Sequence, residues 1–171
     1  MHSSSSQPDG LRTERLLLRR ARAGDAPALH AIMRQPEAMR FWSTLPHANL
    51  AATEEFVGKM MVPPPDGSDD DFIIEAGGRV IGKIGAWRLP EFGYLLDPAM
   101  WGRGYASEAL AAFIAHRRAA GGAELIGDTD PRNAASIRLL QRHGFSETGR
   151  AERTWLIGGQ WYDSIYWRLA L

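Results

Sequence analysis

Apolar residues change their period along the chain, and each change marks an element. Leu16, Leu17 and Leu18 form an apolar run within residues 11–20, which read as a first strand. Over residues 23–34, Ala26, Leu29, Ile32 and Met33 recur at helical spacing, and Asp25 stands near the start, where a helix dipole favours an anion. Pro36 and Pro46 punctuate the segment after this helix. Residues 50–61 make a second amphipathic helix with Phe56, Val57, Met60 and Met61 apolar. Residues 63–71, Pro-Pro-Pro-Asp-Gly-Ser-Asp-Asp-Asp, predict a surface loop. Its acidic triplet, Asp69-Asp70-Asp71, is expected to be a solvated turn rather than a metal site.

From Phe72 the period shortens to that of strands. Residues 72–76, the turn Gly77-Gly78 and residues 79–87 predict an antiparallel hairpin, and residues 91–97 a third strand stopped by Pro98. Residues 107–120 form an alanine-rich helix closed by Gly121-Gly122, residues 125–128 a strand, and residues 133–143 a helix ended by Gly144. Residues 154–157, Gly158-Gly159 and residues 161–169 close the chain as a hairpin. This order predicts a mixed α/β (α+β) fold. Its central sheet is mostly antiparallel, with one parallel pair where the helix of residues 107–120 crosses over, and helices lie on both faces. Residues 1–10 are polar, end in Pro8-Asp9-Gly10, and are expected to be a disordered leader, leaving residues 11–171 as one domain.

Composition narrows the function. The 171 residues carry 20 Lys plus Arg and 20 Asp plus Glu, so no global field draws the chain to nucleic acid or an anionic membrane. Cysteine is absent, which removes disulfides, thiolate metal ligands and cysteine nucleophiles together. No apolar run is long enough for a membrane helix, and residues 1–7 have neither the basic nor the apolar region of a signal peptide. A cytoplasmic protein is expected, monomeric or homodimeric, with no metal and no nucleic-acid or membrane partner.

The informative stretch is Tyr94-Leu95-Leu96-Asp97-Pro98-Ala99-Met100-Trp101-Gly102-Arg103-Gly104-Tyr105-Ala106-Ser107-Glu108-Ala109. A buried strand runs through a glycine loop directly into a helix start. Gly102 and Gly104 let backbone approach a ligand, and the free N–H groups of the first helical turn point outward with the positive end of the dipole. That is a cradle for phosphate or pyrophosphate, with Arg103 as a cationic arm; the plainer alternative is a tight turn. No Gly-Lys-Ser/Thr ending is present, so this is no nucleoside triphosphate loop, and the third dinucleotide-binding glycine is missing. A second feature, Asp130-Pro131-Arg132-Asn133-Ala134-Ala135-Ser136, opens the next helix, with Asn133 placed as an N-cap.

Together, Gln/Arg-x-x-Gly-x-Gly/Ala after a strand, then Asn-x-x-Ser and a helix ending in Gly-Phe, resemble the GCN5-related N-acetyltransferase (GNAT) superfamily. Trp101 to Ala109, Tyr94-Leu95-Leu96-Asp97-Pro98 and Thr13-Glu14-Arg15-Leu16-x-Leu18-Arg19 look like its branch of ribosomal-protein N-terminal acetyltransferases. The resemblance implies a GNAT fold whose parallel pair is splayed, and makes residues 11–171 a single acetyltransferase domain. It implies acetyl-CoA as co-substrate: backbone at Leu95 and Leu96 would pair with the pantetheine arm, and N–H groups of Arg103, Gly104, Tyr105, Ala106 and Ser107 would hold the pyrophosphate. Asn133 would bond to the pantetheine arm as well. Arg138 and Arg142 would reach a ribose phosphate or form a solvated face.

The implied chemistry is direct attack of a primary amine, on a protein N-terminus or a small molecule, upon the thioester. Such attack needs an oxyanion donor, an acid for the thiolate and a base for the amine. A backbone N–H near Leu95 would be the oxyanion donor. Many members place a tyrosine acid four residues after Ser136; Leu140 stands there, which leaves Ser136 as acid or as part of a helix cap. The ribosomal branch can place a glutamate where this chain has Trp155, which cannot accept a proton; Glu91, at the start of the splayed strand, lies where the resemblance puts a base that works through water in other members, or is a plain strand-end carboxylate. Trp42, Trp87, Trp155 and Tyr162 are expected around the acceptor pocket. An idle acyl-CoA-binding regulatory module is the alternative that Leu140 and Trp155 keep open.

Overall fold

The computed structural model describes residues 10–62 and 64–171, so the expectation for the leader lies outside the described residues except at Gly10. In chain order the elements are β1 Leu11–Arg12, β2 Leu16–Arg19, α1 Ala26–Met33, α2 Pro36–Met39, α3 Leu50–Met61, β3 Asp70–Ala76, β4 Arg79–Arg88, β5 Glu91–Leu96, α4 Tyr105–Ala119, β6 Glu124–Thr129, α5 Ala134–Arg142, β7 Ser146–Ile157 and β8 Gln160–Ala170. The strands form one sheet in the order β1-β2-β3-β4-β5-β6-β8-β7. Every neighbouring pair is antiparallel except β5 and β6, which α4 joins by a crossover.

Two apolar cores, one on each face, hold the helices. On one face Phe113 and Leu110 of α4 and Leu139 and Leu140 of α5 pack with Leu18, Phe72, Ile84, Leu96, Leu125, Ile165 and Trp167. On the other, Leu29, Ile32 and Met33 of α1 and Val57 of α3 pack with Ile73 and Leu95. Leu95 and Leu96 thus point to opposite faces, as consecutive strand residues must. The β3–β4 hairpin turns at Gly77 and Gly78, whose φ of 57° and 76° put both in the left-handed region that such a two-residue turn demands.

Structure and expectation differ at four places. The first strand is broken, because Thr13 closes a turn: its N–H donates to the Leu16 carbonyl and its hydroxyl accepts from the Leu16 N–H, each at 2.9 Å. A short helix, α2, starts at Pro36, where the sequence predicts only punctuation. β7 starts eight residues earlier than expected, at Ser146, through a segment with no strong alternation. The acidic triplet is the largest correction. Asp70 and Asp71 belong to β3 and are buried. Asp70 accepts from Arg117 at 2.6 Å, Arg20 at 2.9 Å and His116 at 2.9 Å, and Asp71 pairs with buried Lys83 at 2.6 Å. Cations distant in sequence converge on the carboxylates and make their burial tolerable.

Burial alone would push the Asp70 carboxyl up, but the Arg117 hydrogen bond, with His116 and Arg20, holds it below the ordinary carboxylate range. For Asp25 burial acts in the same way, and the Arg19 guanidinium with the Arg22 N–H overcomes it. A carboxyl whose folded pKa is depressed stabilises the fold above its unfolded value, about 3.9, and loses that contribution as pH falls through the folded value. The thermal midpoint is therefore expected to fall as pH is lowered below about 4. Asp70→Asn leaves Arg20 and Arg117 without their carboxylate and is expected to cost about 3–5 kcal/mol at neutral pH. Its deficit against the parent should narrow in acid; circular dichroism melts showing a pH-independent deficit would refute this.

Candidate active site

The ladder between β5 and β6 is interrupted. Only Glu91 and Ile126 are in register, with the Ile126 N–H donating to the Pro90 carbonyl at 3.0 Å. Beyond them two six-residue strands diverge with a gap between. The β4 side determines which backbone groups face that gap. Asp97 N–H donates to the Ile81 carbonyl at 2.8 Å, so the opposed pairs Lys83–Leu95 and Gly85–Gly93 are the hydrogen-bonded ones. Leu95 therefore turns its backbone toward β4, contrary to the expectation that it faces a ligand. Tyr94 and Leu96 turn theirs to the gap. The Leu96 carbonyl already accepts from the Trp101 indole N–H at 3.0 Å, with Trp101 standing at the Gln/Arg position of the motif.

At the end of β5 the chain enters α4 through Gly104, the N-cap residue, at φ 81° and with no side-chain cap. The first intrahelical bond is Glu108 N–H to the Gly104 carbonyl, leaving the N–H groups of Tyr105, Ala106 and Ser107 outside the helix ladder. Arg15 braces this turn. Its guanidinium donates to the Arg103 carbonyl at 2.8 Å and to Glu108 at 2.7 Å, and stacks 4.4 Å above the Tyr105 ring. A β-carbon on Gly104 would come within 3.3 Å of the same guanidinium. Burial would raise the Glu108 carboxyl, but bonds from Thr13, the Arg15 N–H and the Arg15 guanidinium outweigh it and hold the carboxyl low, so the brace stays charged. The Ser107 hydroxyl is engaged with His143 Nε2 at 2.8 Å, which leaves its N–H for a guest.

The gap opens into a cleft of about 950 Å³. Glu91, Ser136 and Asn133 all line it, as do Trp42, Trp87, Trp155, Tyr162 and the segment Arg40-Phe41-Trp42. Glu91 shares its carboxylate with Arg88 at 2.9 Å. Asn133 caps α5 by accepting the Ser136 N–H at 3.3 Å, so the cap uses the backbone of Ser136 and not its hydroxyl. That hydroxyl instead lies 2.6 Å from the Tyr94 hydroxyl. Burial, partly offset by this bond, raises the Tyr94 phenol above its ordinary value and keeps it protonated at neutral pH. Arg138 and Arg142 are both exposed on α5.

Alternation assigns the lining to two faces of the sheet. Phe92, Tyr94 and Leu96 share the α4/α5 face, where Ser136 lies. Glu91 and Gly93 share the face of Leu95, and Ile126 and Asp128 lie on that same side, opposite to Leu125. Sequence reasoning treats Tyr94 only as part of a motif and misses three further groupings. Asp128 accepts from the Trp155 indole N–H at 2.6 Å and the Ser164 hydroxyl at 3.0 Å. Lys83 stands beside the rings of Trp42 and Phe56, each 5.8 Å from its Nζ, while its charge is met by Asp71. The Thr53 hydroxyl bridges His30 and His47 at 2.9 and 2.7 Å, and burial, then His30, lowers the His47 pKa so that the ring lining the cleft stays neutral. Among the described residues no group of three or more acidic, histidine or cysteine side chains is placed to hold a metal ion, and no helix is long and apolar enough to cross a membrane.

Comparison with known proteins gives this geometry a family. An uncharacterised N-acetyltransferase of Bacillus licheniformis, p20, is 28% identical over 148 residues, covering 81% of this chain and 83% of that relative. The microcin C7 self-immunity acetyltransferase MccE, solved with acetyl-CoA and AMP, shares the fold with a TM-score of 0.87 at 16% identity, over 96% of this chain and 98% of that one. The Salmonella typhimurium acetyltransferase that modifies the N-terminal serine of ribosomal protein L7/L12 does so with a TM-score of 0.82 at 21% identity, over 93% and 96%. Residues 15–146 match the family model described as an acetyltransferase (GNAT) domain. The chain belongs to the GNAT acetyltransferase family.

Proposed function

We propose that this chain transfers the acetyl group of acetyl-CoA to a primary amine by direct attack within a ternary complex. The observation that carries the proposal is the interrupted β5–β6 ladder leading straight to an uncapped helix start. Backbone groups at Tyr94 and Leu96 offer an edge to an amide-bearing arm, as a sheet edge offers itself to a peptide, and N–H groups from Arg103 to Ser107 offer a cradle for pyrophosphate. Asn133 uses its oxygen as a cap, which leaves its amide N–H donors for a carbonyl of the same arm. The similarity to p20 and to an acetyltransferase solved with acetyl-CoA supports this co-substrate.

In this reading the thioester lies in the gap with its sulfur toward the α5 face. The amine attacks the carbonyl carbon, the C–N bond forms, and collapse of the tetrahedral intermediate breaks the C–S bond. The Tyr94 N–H faces the gap and is the oxyanion donor on this strand. The departing thiolate takes a proton from the Tyr94 phenol, which Ser136 holds in place. A phenol from β5 thus stands beside Ser136, one helical turn from Leu140, and that is what favours an enzyme over an idle binding module. Glu91 lies on the opposite face of the sheet, where its carboxylate is paired with Arg88.

Incubation with acetyl-CoA and a serine-initiated peptide, a polyamine and a free amino acid, read by thiol release and mass spectrometry, tests the function. Acetylation of at least one amine is expected, and binding of acetyl-CoA without turnover on any would overturn it. Tyr94→Phe is expected to lower kcat about 10²-fold with acetyl-CoA affinity retained. Ser136→Ala should lower it about 10-fold and leave the α5 cap intact. A Tyr94→Phe enzyme as fast as the parent would remove the phenol from the chemistry. For the cradle, Gly104→Val places a branched side chain at a left-handed position against Arg15. It is expected to weaken acetyl-CoA binding by roughly 2–4 kcal/mol, measured by titration calorimetry on protein whose melt shows it folded.

A further inference from the structure

We propose that Asp128 is the carboxylate that receives the acceptor's ammonium group and takes its proton, with Trp155 and Ser164 holding it in position. The inference rests on the acetyltransfer reading above and names the acceptor-side residue that reading leaves open.

Two carboxylates flank the gap on the face opposite Tyr94 and Ser136. Glu91 opposes Ile126 in the parallel register, and Asp128 lies two residues further on and on the same side. They differ in what already satisfies them. Glu91 is paired with Arg88 at 2.9 Å. Asp128 has no cationic partner among the described residues; only neutral donors reach it, and both reach Oδ2. A carboxylate fixed at one oxygen by neutral donors, at the edge of a cleft lined with aromatic rings, has its other oxygen left for a guest.

Its supports are themselves ordered. The Thr154 hydroxyl lies 2.7 Å from that of Ser164 and 3.1 Å from the Tyr162 carbonyl; with the Ser164 proton given to Asp128, Thr154 is the donor between the two hydroxyls and shares its proton with that carbonyl. Trp155 reaches Asp128 from β7, across β8, because β7 carries extra residues between Ala151 and Trp155 relative to β8. In that bulge Arg153 takes φ 55° and its N–H donates to Asp163 at 2.9 Å. Bulges re-aim side chains in this way. The other charges lining this part of the cleft already have partners on the protein: Asp130 with Arg132, Arg168 with Glu124, and Asp163 with the Arg153 N–H. Arg40 stacks on Phe41.

The step balances. An ammonium group gives one proton to Asp128 and becomes a nucleophile; it attacks, and the nitrogen loses its second proton to water as the amide forms. The thiolate leaves with a proton from Tyr94, and exchange with solvent resets both groups, for a net release of one proton.

The test uses whichever amine of the panel the parent acetylates. Asp128→Asn is expected to lower kcat/KM by about 10²-fold or more at neutral pH, and by more than Glu91→Gln does, with acetyl-CoA affinity and melting temperature unchanged. The loss should shrink as pH rises and the amine deprotonates unaided. Trp155→Phe and Ser164→Ala, which keep the carboxylate but remove its donors, should each lower kcat by roughly 10-fold with acetyl-CoA affinity intact. Asp128→Asn within threefold of the parent, or a loss that does not vary with pH, overturns the inference. Should Asp128→Asn fail to fold, the two positioning variants decide, and normal kcat in both overturns it. A parent that acetylates no amine defeats the acetyltransfer reading itself, whereas a parent that works and variants that work equally well defeat only the role of Asp128.

Discussion

The structure turns on a sheet that stops pairing at its centre. Backbone N–H and C=O groups away from water are costly to leave unpaired, and every other strand boundary in the sheet satisfies them with a ladder. Between β5 and β6 one register pair suffices to align the strands, and then they part. The parting is built into the packing on the α4/α5 face. Phe92 stacks between Phe113 and Phe145, with ring centroids 6.1 and 5.4 Å away, and β6 passes against it at Gly127, where a β-carbon would touch the ring at 3.4 Å. The backbone groups left facing the gap are those that the proposed amide-bearing arm would pair with. Cleft, cradle and hydroxyl pair all lie along this one discontinuity.

Holding such a gap requires rigid flanks, and the chain uses buried charge beside its apolar cores. Lys83, which opposes Leu95 on β4, is buried and meets Asp71 of β3, while Asp70 gathers Arg20, His116 and Arg117 from β2's end and α4. Arg19 bonds both Asp25 and Glu75, tying the entry to α1 onto β3. The pairs that break with most damage are those with both partners buried, because one ion cannot be removed without stranding the other. A formal net charge of zero conceals this segregation.

Local features were the ones legible in the sequence. The helix of residues 50–61 matches α3 at both ends, since its period and its cap Asn49 lie within one window. The glycine loop into α4 was legible because a strand end, left-handed turn residues and the free N–H groups of a helix start follow in succession. The acidic triplet escapes a local reading because the donors that satisfy Asp70 are 46 to 50 residues away. Tyr94 and Ser136 are 42 residues apart, and Asp128 and Trp155 27 apart; their hydrogen bonds exist only once β5, α5, β6 and β7 meet. The placing of Leu95 depends on a subtler point. Two adjacent leucines differ in which way their backbones point, and that parity is set by the β4 register rather than by residue type.

The two departures from the family's motif pattern, Leu140 and Trp155, take a different meaning in three dimensions. Each removes an ionisable or hydroxyl side chain from an outer element, α5 or β7. In each case a group on a strand that borders the gap stands in the same neighbourhood: the Tyr94 phenol from β5 against Ser136, and the Asp128 carboxylate from β6 against the Trp155 indole. Strands at the centre of a sheet are held on both sides by their neighbours or by core, so a group mounted there is more rigidly placed than one on a helix end or an edge strand. The faces also separate the two groups. The phenol lies on the α5 side and the carboxylate on the other, so a proton donor and a proton acceptor never compete for the same hydrogen bond. An amine approaching from one face and a thiolate leaving toward the other would each meet the partner suited to it.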